Sequence, residues 1–352
     1  MLYELLKFIL GLTIRFYFRK ITIRGKELVP EEKPILFVPN HPGAFMDPLV
    51  VGSVLGQHLH FLARGESFVN PFNQWLFSKL NMIPVYRPSE TPELMHKNKE
   101  VFQKAFNLLS KGSSIIIFPE GRSKTERRIR KVKTGAARIA LGAEKDNGFN
   151  LGVLVVPIGL NYSNPHRFQS HLFINFAQPI EVSKYIDRYK KDEYEAVDAL
   201  TDEIRQKLEE RTVNIEDEDL DKLIGNIEMI YKSELKKQAG VGPGEKDRDF
   251  KITKEIVDAV YYHHKIYPLR LELLRQKIEK YVSVLDMLKL KDHVFRMRKP
   301  NGSFMLNITK TVTAVTLGFP IYFYGVINNY LPYKLPGILA SRSRPDFYGA
   351  VA

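Results

Sequence analysis

The chain has 352 residues, 44% of them apolar and 26% charged. That suits one large domain with an appendage, or two domains, and excludes a disordered chain or a polytopic membrane protein. Cysteine is absent, which excludes disulfides, thiolate metal sites and cysteine nucleophiles.

The formal charge of +13 is unevenly spread: residues 1–180 carry 24 basic and 13 acidic side chains, residues 181–237 carry 11 and 17, and residues 238–352 carry 18 and 10. Basic flanks around an acidic centre suit partners that differ along the chain, the basic parts facing phosphates. A solvated, biased surface is the alternative.

Residues 1–20 are predicted to form a helix. Glu4, Lys7, Gly11, Arg15 and Arg19 recur at spacings of three and four and make one polar stripe. Leu2, Leu5, Leu6, Ile9, Leu12 and Phe16 fill the opposite face. Charges at Lys7 and Arg15 interrupt the apolar run, and no small-residue cleavage site follows, so the pattern departs from a signal peptide or a spanning helix. It suits a helix lying in a membrane interface, basic stripe toward the headgroups. A helix capping a soluble core is the other reading.

Residues 21–180 alternate strand and helix signals. Ile21–Ile23, Ile35–Pro39, His60–Ala63, Met82–Tyr86, Ser114–Phe118, Gly152–Leu160 and His171–Phe176 read as strands. Asn40–Leu55 (with Asn40 or Asp47 as cap), Pro71–Leu80, Glu93–Leu109 and Thr134–Ala143 read as helices. The pattern predicts an α/β domain, a mostly buried sheet flanked by helices. Residues 181–300 are polar and helix-prone, with a linker or exposed loop near residues 238–249. In the hydrophobic segment 301–352, Thr311–Tyr333 is 23 residues without a charge. Gly318-Phe319-Pro320, Asn328-Asn329 and Pro332 are expected to break it. A bilayer span, a re-entrant or interfacial hairpin and a buried core segment all remain open.

The chemistry concentrates at two strand ends. The first is Val38–Leu49, VPNHPGAFMDPL. There His41 follows an apolar strand, in a turn with Pro42 and Gly43, and Asp47 comes one to two helical turns on. A carboxylate holding one imidazole nitrogen fixes the tautomer, so the other can take a proton from a hydroxyl. The second is Phe118–Ser123, FPEGRS, where Glu120, Gly121 and Arg122 form a bend able to grip an anion. Residues 121–133 then supply seven basic side chains against Glu126 alone. His58, His60 and the pair His263-His264 lack the carboxylate or cysteine partners of a metal site, so no metal is expected.

Together these blocks resemble the glycerolipid acyltransferases, which include the glycerol-3-phosphate and 1-acylglycerol-3-phosphate (lysophosphatidate) acyltransferases. The matching blocks are Asn40-His41…Asp47, Ile83-Pro84-Val85-Tyr86-Arg87, Phe118–Ser123 and Val155-Val156-Pro157-Ile158, in the family's order, over roughly residues 20–180. Two departures stand out. Five residues separate His41 from Asp47 where four are usual, and Gly121-Arg122 lacks one intervening residue.

The resemblance implies acyl transfer without a covalent acyl-enzyme. His41 would be the base and Asp47 its orienting partner, while Glu120, Gly121, Arg122, Arg87 and Arg64 would bind the substrate. It implies no cofactor, with acyl-CoA or acyl-carrier protein as co-substrate. The other partners would be a membrane lipid surface and a glycerophosphate or lyso-lipid acceptor, the active site facing the cytoplasm. A non-phosphate lipid acceptor is one alternative. A non-enzymatic protein binding anionic membranes or nucleic acid is another, though nucleic acid is not expected because it leaves the ordered blocks unexplained.

Overall fold

A computed structural model describes residues 2–341 apart from 31, 69, 88–90, 239–247, 291 and 293–303. Most of the expected linker near 238–249 and the end of the chain after residue 341 lie outside the described residues.

In chain order the elements begin with helix α1 (Leu2–Tyr17), strands β1 (Lys20–Arg24) and β2 (Ile35–Pro39), and helix α2 (Met46–Val54). There follow β3 (Leu59–Arg64), α3 (Pro71–Lys79), β4 (Met82–Val85), α4 (Asn98–Ser110), β5 (Ser114–Ile116) and α5 (Gly135–Asp146). Strands β6 (Leu154–Tyr162), β7 (His171–Phe176) and β8 (Ile180–Glu181) close the sheet region. The rest is helical: α6 (Ile186–Lys191), α7 (Glu193–Arg211), α8 (Glu218–Gln238), α9 (Arg248–Ile266), α10 (Pro268–Met287) and α11 (Phe304–Ser341). The described chain divides into two compact units. One holds residues 1–221 and 239–255, the other residues 222–238 and 256–352.

The first unit is built on one sheet in the order β1-β7-β6-β2-β5-β3-β4, with β8 also paired to β6. Strands β6, β2, β5, β3 and β4 run parallel, and β7 joins β6 antiparallel. Strand β2 is buried at all five residues, as a central parallel strand covered on both faces must be. Its side chains alternate between two cores. Ile35 and Phe37 pack with Ile14 and Phe18 of the N-terminal segment and with Val50 and Val51 of α2. Leu36 and Val38 pack with Ala105 and Leu109 of α4, Ile139 of α5, and Leu200 and Ile204 of α7. The expected α/β architecture is therefore present, and the same unit continues beyond residue 180 to include α7.

A close approach fixes α7 to the sheet. Asn161 Nδ2 donates to the Arg211 carbonyl at 2.9 Å, and Val213 N donates to Asn161 Oδ1 at 2.9 Å. A methyl group on Gly159 would overlap that carbonyl oxygen and sit 2.6 Å from its carbon. Backbone meets backbone there, so no rotamer change relieves the clash. Gly159→Ala is expected to cost on the order of 3 kcal/mol or more in denaturant unfolding. Gly56→Ala, which meets nothing within 4 Å, is the near-neutral control.

Four local expectations need correction. Neither Asn40 nor Asp47 caps α2: the helix starts at Met46, Asn40 bridges to β6 and Asp47 turns toward His41. The helix expected over Glu93–Leu109 begins as a 3-10 turn, Pro92–Lys97. Asn98 fixes the α-helical start by exchanging hydrogen bonds with the Tyr86 backbone, at 3.0 and 2.8 Å.

In α1, Lys7 and Gly11 do not share an outward polar stripe. Lys7 Nζ donates to the Gly56 and Gln57 carbonyls at 3.0 and 3.1 Å, and Gly11 faces Ser53 of α2. The outward face instead carries Leu5, Phe8, Ile9, Leu12 and Phe16, all exposed, because carbonyls left over at the end of α2 recruit the lysine inward.

The fourth correction lies in the second unit. Helix α11 runs unbroken through Gly318, Pro320, Asn328 and Pro332. A proline removes one N–H donor, whereas ending the helix would release a whole turn of backbone groups. The 25 residues Ile308–Pro332 are long and apolar enough to cross a membrane, and their 18-residue apolar window is 0% buried; the expected hairpin is replaced by one continuous helix. In the same unit α10 buries Leu271, Ile278 and Leu285.

Candidate active site

The parallel strands end on one side, and the expected site residues follow those ends, where an open α/β sheet presents its reactive groups. His41 comes two residues after β2, Glu120 follows β5, Arg64 is the last residue of β3, and Arg87 lies two residues beyond β4. Tyr162 is the last residue of β6.

His41 Nδ1 lies 2.7 Å from Asp47 Oδ2. Asp47 is wholly buried, while the His41 side chain keeps 19% exposure, so the pair is anchored inside and reachable from outside. The imidazole stacks on Phe118, ring centres 4.1 Å apart. The same carboxylate oxygen accepts the Gly43 N–H at 2.8 Å, and Oδ1 accepts the Tyr162 hydroxyl at 2.7 Å. Three donors thus compensate a desolvated carboxylate.

Asn40, the neighbour of His41, extends the sheet. Its side chain accepts from Leu160 N at 2.6 Å and donates to Leu160 O at 3.2 Å.

The Phe118–Ser123 bend grips the turn that carries His41. Glu120 Oε1 accepts the His41 backbone N–H at 2.8 Å, and Oε2 accepts that of Arg130 at 3.1 Å. Ser123 Oγ accepts from Ala44 N at 2.8 Å, holding Ala44 in a left-handed conformation (φ 48°) that a non-glycine residue adopts at a cost. Thr125 Oγ1 donates to the Pro42 carbonyl at 3.1 Å and also meets His166 Nε2 at 2.8 Å.

Glu120, expected among the substrate ligands, therefore spends both oxygens on backbone donors. Burial pushes its carboxyl above the usual carboxylate range, and the two backbone N–H groups pull it back. Gly121 takes the positive φ (72°) the bend requires, and Lys133 lies over it. The longer His–Asp turn and the shortened bend face each other, and the Ala44–Ser123 bond joins them.

The basic loop is partly self-neutralised. Arg127 pairs with Asp221 at 2.6 Å, Arg130 with Glu126 at 2.5 Å, and Lys124 with Glu126 at 2.9 Å. Arg122 is exposed on the bend. Arg64 Nε lies 3.4 Å from Glu66, and Arg87 is partly buried. Among the described residues no cluster of three metal-ligating side chains forms.

A partly exposed histidine held by a buried carboxylate suits proton abstraction from a hydroxyl. Residues 20–161 match the family model named Acyltransferase.

The glycerol-3-phosphate O-acyltransferase 1 of Saccharomyces cerevisiae is 33% identical over 138 residues, which are 38% of this chain and 18% of that protein. An uncharacterized acyltransferase of Schizosaccharomyces pombe is 23% identical over 378 aligned positions, covering 83% of this chain and 55% of that one. A chloroplastic 1-acyl-sn-glycerol-3-phosphate acyltransferase of Arabidopsis thaliana is 31% identical over 144 residues, 41% of this chain and 36% of that one. The alignments thus take in 18% to 55% of these relatives' length.

The matched segment holds all seven site residues expected from the sequence, and the structure adds Ser123, Thr125 and, one residue past the match, Tyr162, which that reading did not single out. Tyr162 is 115 residues from Asp47, and no local pattern announces such a contact. Ser123 stood in the quoted block, but its hydroxyl acts across the sheet end rather than along the chain.

Proposed function

We propose that the chain is a membrane-associated O-acyltransferase. It would move a fatty acyl group from a thioester of CoA or acyl-carrier protein to a hydroxyl of glycerol 3-phosphate or 1-acylglycerol 3-phosphate, in phospholipid synthesis. The observation that carries this reading is the 2.7 Å contact between His41 Nδ1 and Asp47 inside the segment that matches the Acyltransferase family model. With Nδ1 engaged, Nε2 is the nitrogen that takes the proton as the acceptor oxygen attacks the thioester carbonyl. A C–O bond forms, the C–S bond breaks, and the proton passes from the imidazolium to the departing thiolate. Asp47 stabilises the imidazolium in between.

Arg122, Arg87 and Arg64 are the proposed phosphate ligands, with the Gly121 backbone beside them. Glu120 serves by holding the His41 backbone, since a carboxylate facing a phosphate would repel it. The names of the yeast and plant relatives support this choice of acceptor. The exposed apolar face of α1 and the apolar stretch of α11 support a membrane location, and a soluble thioester donor supports a cytoplasmic orientation.

The test is free-thiol release by purified full-length protein in detergent and in anionic vesicles, with acyl-CoA and acyl-carrier protein crossed against acceptors. Thiol release dependent on glycerol 3-phosphate or 1-acylglycerol 3-phosphate is expected. Release only with lyso-lipids lacking phosphate would move the acceptor class. Release no greater than that of His41→Ala in every combination would end the proposal.

A further inference from the structure

We propose that Tyr162 is a positioning residue for the His41–Asp47 pair, holding the Asp47 carboxylate in the plane that serves the imidazole; this rests on the acyl-transfer reading above. Asp47 Oδ2 receives both His41 Nδ1 and the Gly43 N–H, at 2.7 and 2.8 Å. Those two donors fix one oxygen and leave the carboxylate free to swing about it. The Tyr162 hydroxyl, 2.7 Å from Oδ1, fixes the second point and so the plane.

Strand pairing delivers the tyrosine. Strands β2 and β6 run in parallel register up to Pro39 and Ile158, and β6 continues four residues to Tyr162. Asn40 secures that overhang through Leu160. Phe18 packs on the ring at 5.8 Å between ring centres, which braces the phenol. Burial, with the Asp47 charge added, pushes the phenol well above its ordinary value. The hydroxyl therefore remains a donor throughout the working pH range.

Tyr162 does not exchange a proton with substrate in this scheme. It acts through Asp47 alone, and its loss therefore has a distinctive signature. Tyr162→Phe keeps the ring against Phe18 and removes only the hydroxyl, and kcat should fall about 10- to 100-fold, the rate equivalent of one charge-assisted hydrogen bond. KM for donor and acceptor should stay within about twofold, because no substrate contact is lost. In an Asp47→Asn background the same substitution should cost little more, since residues acting as a unit are not additive.

A second readout does not depend on turnover: the downfield His41 Nδ1–H proton resonance, assigned by its loss in His41→Ala, should shift in Tyr162→Phe. Unchanged kcat with an unmoved resonance would overturn the proposal, and so would an equal loss in both backgrounds, which marks a packing role. Should the wild-type chain release no thiol, the acyl-transfer reading fails by itself. The resonance then still decides whether Tyr162 orders the pair.

Discussion

His41→Ala should lose nearly all turnover while remaining folded. General-base catalysis supplies about 10²–10⁴-fold, and this imidazole is the group placed to provide it. Its removal leaves Asp47 with the Gly43 and Tyr162 donors, so the buried carboxylate is not orphaned. The ring also keeps some exposure and lies on Phe118 rather than deep in either core. Thermal unfolding should therefore move only slightly. Steady-state thiol release and a melting curve on the same preparation check both halves. A variant keeping more than about a tenth of the wild-type rate would be incompatible with a base worth at least two orders of magnitude.

The second large effect divides between two substitutions at Asp47. In Asp47→Asn the carbonyl oxygen can take the place of Oδ2 and accept both His41 Nδ1–H and the Gly43 N–H. The amide nitrogen then takes the place of Oδ1 and donates to the Tyr162 oxygen, which can accept. The tautomer is preserved and the negative charge is gone, at the cost of the Tyr162 hydroxyl losing its carboxylate acceptor. Stability should fall by about 1–3 kcal/mol at most, for one stranded donor, while kcat falls on the order of 10²–10⁴-fold, because the developing imidazolium loses its counter-charge. Asp47→Ala strands its buried donors instead, each costing about 1–3 kcal/mol. It should therefore lose activity and also unfold at a visibly lower denaturant concentration. Equal stability of the two variants would mean that the network around Asp47 is relaxed in solution.

The contrast between these residues shows what could be read in advance. His41 and Asp47 lie six positions apart, on either side of the turn between an apolar strand and α2, so the local sequence was enough to suggest the pair. Glu120 was visible as a residue of the FPEGRS block, but its role was not. Its partner is a backbone N–H 79 residues away, and backbone groups carry no side-chain signature. The seven cations of residues 121–133 suggested an open phosphate patch. Asp221, reaching in from the start of α8, and Glu126 take up three of them, a pairing that charge counts along the chain do not reveal.

At the N-terminus, helical periodicity found the helix but set Lys7 and Gly11 on an outward polar stripe that the structure does not have. It could not say which side the body of the protein would take. Docking on α2 drew Lys7 inward to the Gly56 and Gln57 carbonyls and left Phe8 and Phe16 facing out.

Local order along the chain was enough to establish an alternating α/β domain, the strand ends where chemistry gathers, and the histidine–carboxylate pair, since each depends on residues within a few positions of one another. Tertiary structure alone decided which groups surround that pair: the tyrosine at the end of β6, the glutamate beyond β5 and the serine that secures Ala44. These arrive through the register of neighbouring parallel strands, set by burial over the whole sheet, and such contacts leave no mark in any short stretch of sequence.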